Sequence, residues 1–200
     1  MSVLGRTEII KALKHKSGSK RLFLTPMLHE SQIGDASIDV RLGNDFYTTK
    51  HGNIGIIDPK TKGSNPERFR IHHWLNRGET FYLHPNELAL ASTIEYFSLP
   101  QNIAAYVTSR SKWGRLGLII ATAAAVHPGF KGTITLELVN HGNVPLALYP
   151  GLLVAQIVLF DALGATKYRS DELSHRTNAT PSDVRRDWQK DMSFWVSENS

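Results

Sequence analysis

Between about residues 21 and 160, apolar and polar positions alternate with the period of β-strands rather than helices. In Ser37–Leu42, Ile38, Val40 and Leu42 share one face while Ser37, Asp39 and Arg41 share the other. Thr133–Leu138 repeats the pattern, with Ile134, Leu136 and Leu138 opposite Thr133, Thr135 and Glu137. Leu146–Tyr149 and Leu152–Phe160 are apolar runs joined by Pro150-Gly151, a turn pair. The second run is apolar on both faces, as expected of a strand covered on both sides.

Helical periodicity is confined to the ends. Near the start, Thr7 is placed to cap a short helix whose apolar face is Ile9, Ile10 and Leu13, ended by Ser17-Gly18-Ser19. Near the finish, Thr180-Pro181-Ser182-Asp183 offers a cap and a first-turn proline. Val184, Trp188, Met192 and Trp195 then form one stripe. Asn44–Glu67 is polar and rich in Gly, Asn and Lys, which predicts a long loop or hairpin excursion. Short strands with Gly, Pro and Asn between them argue for an all-β sandwich or barrel rather than alternating strands and helices. One domain over 1–200 is expected: a helical segment to 20, a β core over 21–165, and a polar tail over 166–200.

Composition narrows the chemistry. The 200 residues carry 23 Lys and Arg against 18 Asp and Glu, a net charge of +5. A modest positive balance suits either nucleic acid or a small polyanion such as a triphosphate. The chain has no cysteine, which removes disulfides, thiolate nucleophiles and cysteine-held metals. A zinc nucleobase deaminase needs a Pro-Cys-x-x-Cys pair, so that route is closed. His72-His73 is a poor chelate, because neighbours on a strand point to opposite faces. Neither a Gly-x-x-x-x-Gly-Lys loop nor a Gly-x-Gly-x-x-Gly fingerprint is present. The longest apolar windows fall short of the roughly 18 residues a membrane helix needs, and a soluble, cytoplasmic protein is expected.

Two segments carry candidate chemistry. Ser109-Arg110-Ser111-Lys112-Trp113-Gly114-Arg115 combines small hydroxyl residues with two arginines, a pattern that fits an anion site at a turn start. From spacing alone an exposed basic turn is the commoner reading of such a segment. Glu137 lies on the face of its strand away from the apolar layer, beside Thr135; such a glutamate is either functional or simply solvated or paired.

Four ordered segments together resemble the dCTP deaminases of the dCTP deaminase and dUTPase superfamily. They are Ala36–Gly43; Phe81–Pro85 with Leu88–Ala91; Ser109–Leu118; and His127–Gly132 leading into Thr135-Leu136-Glu137, Asn140, Pro150-Gly151 and Gln156. The resemblance spans about residues 3–170. It implies a distorted jelly-roll-like β-barrel or sandwich with short terminal helices, assembled as a homotrimer with sites between subunits. It also implies zinc-free chemistry on a pyrimidine deoxynucleoside triphosphate, with Mg²⁺ arriving on the triphosphate and no metal held by the protein. By position, Glu137 would activate the water that attacks cytosine C4, with Ser111 and Arg115 orienting that water and stabilising developing charge. Arg110, Ser111, Lys112 and Arg115 would hold phosphates. Thr135 and Leu136 would flank base and sugar, with Gln156 and Tyr168 as further nucleotide contacts. The expected ligands are dCTP and dUTP, with dTTP as an inhibitor, and nucleic acid is not an expected partner.

The chain departs from the family pattern at several points. His127 stands where the family carries the aspartate that holds the deoxyribose 3′-hydroxyl and, in dUTPases, activates water. A neutral imidazole can accept or donate one hydrogen bond but lacks the carboxylate's fixed charge. Ala121–Val126 has alanine where glycine is usual, and Trp113 is bulkier than its counterparts. Ser174–Asn178 replaces the usual lid, with His175 and Arg176 in place of its lysine. Two functional classes remain open. One is a deaminase making dUTP and ammonia, with or without onward hydrolysis to dUMP. The other is a catalytically silent nucleotide-binding relative. The joint presence of Ser111, Arg115 and Glu137 favours the enzyme.

Overall fold

The computed structural model describes residues 2–49, 70–120 and 125–165. Helix α1 spans Arg6–Leu13 and buries Ile9, with Ile10 and Leu13 packed against the core. Its cap is Gly5 rather than Thr7, and no side chain caps it. The helix begins earlier than expected because Arg6 is tied down: its N–H donates to Asp35 O at 2.7 Å, and its guanidinium to Ile33 O. Thr7 therefore falls inside the first turn.

Ten strands follow: β1 (Phe23–Thr25), β2 (Ile38–Thr49), β3 (Arg70–Trp74), β4 (Phe81–Leu83), β5 (Leu88–Ser98), β6 (Ile103–Ser109), β7 (Leu118–Ile120), β8 (Lys131–Asn140), β9 (Leu146–Leu148) and β10 (Leu153–Asp161). A single helical turn, α2 (Ser111–Gly114), separates β6 from β7. Eight strands form one sheet in the order β6-β10-β2-β5-β8-β7, with β1 on β5 and β3 on β2, while β4 and β9 pair separately. Every pairing is antiparallel. A bridge between Ala105 on β6 and Val126 brings the two ends of the order together, so the sheet curls into a nearly closed barrel. This is the all-β barrel class that the alternation predicts, in the jelly-roll-like form that the family resemblance implies.

Of the segment expected as a loop or hairpin excursion over Asn44–Glu67, residues 44–49 belong to β2 and pair with β3, and the remainder lies outside the described residues. β2 continues to Thr49 because Phe46 and Thr48 keep the inward alternation across the polar Asn44 and Asp45. Phe46 stacks on Phe81, with ring centroids 4.7 Å apart. His72 and His73 do point opposite ways: His72 bonds Asp45 at 2.6 Å, whereas His73 bonds Thr48 at 2.9 Å.

The core is the inner face of the barrel. Ile38, Val40, Leu42, Phe46, Leu136, Leu138, Ile157 and Leu159 are fully buried, and each such side chain contributes about 1.5–3 kcal/mol of transfer free energy. On β10 the described residues fully bury one face; Gln156, Val158 and Phe160 on the other face remain half-exposed. The N-terminal residues lie along this strand, with Leu4 N–H donating to Leu159 O at 2.9 Å and Asp161 N–H to Ser2 O at 3.1 Å.

Candidate active site

Alternation on β8 decides where Glu137 goes. Ile134, Leu136 and Leu138 are buried in the barrel, which leaves Thr135 and Glu137 half-buried on the outer face. They lie opposite Ser92 and Leu90 of β5. Leu136, expected beside base and sugar, is instead wholly buried in the core, because it alternates inward with Ile134 and Leu138. His127 is exposed at the head of the turn that feeds β8. Phe130 N–H closes that turn on His127 O at 3.1 Å. Gly129 takes φ +82°, a conformation that a residue with a Cβ adopts only with strain.

The basic segment forms α2. Its own hydrogen bonds run from Trp113 and Gly114 N–H to Arg110 O, and from Arg115 N–H to Ser111 O. The N–H groups of Ser111 and Lys112 are those that a turn start leaves over. Ser111, Lys112 and Arg115 are exposed. Trp113 anchors the turn, because its indole N–H donates to Leu153 O at 2.9 Å and the ring packs on the core. That bond gives the bulky residue at this position a structural reason. Downstream, the carbonyl of Gly117 (φ +92°) accepts from His141 N–H at 2.7 Å, locking the segment to the end of β8. An added Cβ at Gly117 would sit 2.5 Å from Gly142 N.

Arg110 and Gln156 meet at a third residue. Arg110 Nη2 is 3.2 Å from Asp39 Oδ2, and Gln156 Nε2 donates to Asp39 Oδ1 at 3.1 Å. The register explains this: Gln156 faces Asp39 on one side and Thr108 on the other, and Arg110 lies two residues beyond Thr108. Asp39 was not among the expected site residues. Its signal was the outward position it shares with Arg41 in Ser37–Leu42.

Beneath this row is a buried polar network. The Glu95 carboxylate, with no exposed surface, accepts from Arg41 N–H at 2.9 Å, Arg41 Nη1 at 3.2 Å and Gln32 Nε2 at 3.0 Å. Gln32 Nε2 also reaches Asp39 O at 3.2 Å. Thr93 Oγ1 donates to Glu95 O at 2.7 Å and accepts from Ile134 N–H at 2.9 Å, bracing the irregular register between Ser92 and Tyr96.

The expected residues therefore fall into two groups. Arg110, Ser111, Lys112, Arg115 and Gln156 gather around α2 and β10; Thr135, Glu137 and His127 belong to β8 and its leading turn. Leu118, just past α2, pairs with Asn140, three residues beyond Glu137, which is about 10 Å along the strand. Tyr168, His175, Arg176 and the helix expected from Pro181 lie outside the described residues. Among the described residues no cluster of three or more His, Asp or Glu could hold a metal ion, and no helix is long and apolar enough to cross a membrane.

A dCTP deaminase-like family model matches residues 3–162. The chain belongs to the dCTP deaminase-like family. It is 42% identical over 149 residues to the "dCTP deaminase, dUMP-forming" of Methanobrevibacter smithii, covering 74% of this chain and 76% of that one. It is 40% identical over 143 residues to the dCTP deaminase of Pectobacterium atrosepticum, covering 68% and 74% respectively. Among solved structures it superposes on the 2′-deoxycytidine 5′-triphosphate deaminase of Agrobacterium tumefaciens with a TM-score of 0.59 at 21% identity, a likeness of fold. That match covers 78% of this chain but 47% of the Agrobacterium chain, so this chain spans about half its length.

Proposed function

We propose that this chain hydrolytically deaminates dCTP, presented as its Mg²⁺ complex, to dUTP and ammonia. The observation that carries the reading is Glu137, held half-buried on the outer face of β8 beside Thr135 in a chain that matches the deaminase-like family over residues 3–162. In this reading Glu137 takes a proton from water as its oxygen attacks C4, and returns it to the departing nitrogen. Ser111 orients the water. Arg115 offsets charge as it develops. Arg110, Lys112 and the N–H groups of Ser111 and Lys112 hold phosphate oxygens, which would compensate the missing phosphate loop.

The spacing of the two residue groups supports a site completed by a second copy of the chain. So does the outer face of β10, where Val158 and Phe160 remain half-exposed among the described residues and Phe160 meets the exposed Tyr106 edge-on at 5.3 Å. The assembly proposed is a homotrimer.

A second reading, onward hydrolysis of dUTP to dUMP and diphosphate, is favoured by relatives whose name is "dCTP deaminase, dUMP-forming". Incubation with dCTP, dUTP or CTP and Mg²⁺, with products separated by chromatography, tests both. Deamination yields dUTP from dCTP; the longer reaction yields dUMP from dCTP and from dUTP. Binding of dCTP without any product would refute the enzyme reading and leave a nucleotide-binding relative.

A further inference from the structure

We propose that Asp39 is a positioning residue for the nucleotide site, one that aims the Arg110 guanidinium and fixes the orientation of the Gln156 amide. The inference rests on the reading of Arg110 and Gln156 as nucleotide contacts. What the structure adds is a carboxylate lying between them, bonded to both, on an adjacent strand.

A guanidinium on a flexible stem loses side-chain entropy when it binds a phosphate. One N–H of Arg110 is already engaged by Asp39 Oδ2, which holds the planar fork in one orientation and leaves its remaining donors for an anion. Gln156 is constrained in the complementary way. Because its Nε2 donates to Asp39 Oδ1, its carbonyl oxygen must point away from Asp39. A free glutamine could offer either end to a ligand; this one offers the acceptor.

Asp39 is itself rigidly mounted. Its carbonyl accepts from Gln32 Nε2, and two residues along, Arg41 N–H is held by the buried Glu95. Its side chain is 14% exposed, so water competes weakly for the two bonds. Groups that orient metal-ligating side chains alter affinity or activity by about 10–100-fold when removed, and the same logic sets the scale for a carboxylate that orients an anion-binding guanidinium.

A simple charge argument predicts the opposite sign, which makes the proposal sharp. A carboxylate beside a triphosphate site repels the ligand, so Asp39→Asn should tighten binding if field alone matters. If Asp39 positions Arg110, the same change should weaken it, because asparagine keeps one acceptor oxygen and its NH₂ accepts from neither partner.

The test is steady-state deamination of Mg·dCTP by the full chain carrying Asp39→Asn, Arg110→Ala and both changes, with thermal melting alongside. The expected result for Asp39→Asn is a KM raised about tenfold and a kcat within about threefold of wild type. The double variant should then fall clearly short of additivity, losing beyond Arg110→Ala only the part that runs through Gln156, since residues acting through one another are not additive. An unchanged or lowered KM for Asp39→Asn overturns the proposal, as does additivity in the double variant. Should Asp39→Asn fail to fold, Arg110→Lys asks the same question. A lysine keeps the charge but cannot fork between carboxylate and phosphate, so a wild-type KM there overturns the proposal. If the wild type releases no ammonia, the deaminase reading fails by itself; calorimetric titration with Mg·dCTP then reads the same variants as Kd.

Discussion

Replacing Glu95 with alanine should destabilise the protein severely although it lies on no surface that a ligand can reach. The carboxylate has no exposed area and accepts three bonds, from Arg41 N–H, Arg41 Nη1 and Gln32 Nε2. Alanine orphans a backbone N–H, worth about 1–3 kcal/mol when buried. It also strands the Arg41 guanidinium, whose side chain is only 13% exposed; breaking a buried pair on one side costs about 3–5 kcal/mol. The two penalties overlap, since water that enters for the guanidinium can also serve the N–H group, so the expected total is about 3–5 kcal/mol. For a chain of this length about 2–4 °C of melting temperature goes with each kcal/mol, giving a fall of about 6–20 °C. Thermal unfolding followed by far-ultraviolet circular dichroism measures it. Removing both charges is the control: Glu95→Leu with Arg41→Met should recover most of the loss, because no unpaired charge is left. A fall below about 2 °C for Glu95→Ala would show that the network is not holding β2 against β5.

Glu137→Gln keeps the shape of the side chain but cannot take a proton, so ammonia release from dCTP should fall by about 100-fold or more. Its KM should change much less, and near-wild-type turnover would mean that another group is the base. His127→Asp restores a fixed negative charge at an exposed turn and should raise the preference for dCTP over CTP in competition assays. An unaltered ratio would remove His127 from the sugar site. Gly117→Ala forces a Cβ to within 2.5 Å of Gly142 N at φ +92°, and urea denaturation should show a loss of about 2–4 kcal/mol; a silent substitution would mean that the loop yields freely.

The strands were legible because a two-residue period is local: Ile38, Val40 and Leu42, or Ile134, Leu136 and Leu138, announce a buried face without reference to anything distant. The same alternation placed Glu137 on the outer side of β8. Where local rules failed, a long-range bond had intervened. Thr7 lost the cap position because Arg6 is pinned to residues 33 and 35. β2 outlasted its polar stretch because Phe46 finds Phe81 across the barrel. Glu95 could not have been picked out at all, since its partners Arg41 and Gln32 are 54 and 63 residues away in the chain. Asp39 was visible as an outward polar residue, but nothing in the linear pattern says that Gln156 becomes its neighbour 117 residues later. The anion segment was legible as composition; that Trp113 moors it to β10 was not.

The bond between Asp161 N–H and Ser2 O, with Val3 bridged to Phe160, has a topological consequence. Both ends of the β unit leave from one strand edge, so this stretch of chain is closed on itself like a clasp. Polypeptide attached before residue 2 and polypeptide attached after residue 161 must start from the same side of the barrel. A unit whose ends meet can be joined end to end by a short linker and reopened elsewhere, or spliced into a host loop, without unthreading a strand. The exposed turn at 127–130 is a natural place to reopen it, although new ends there would sever the lead into β8. For an assembly of several copies, the clasp also gathers each copy's appended segments at one point on the barrel rather than distributing them around it.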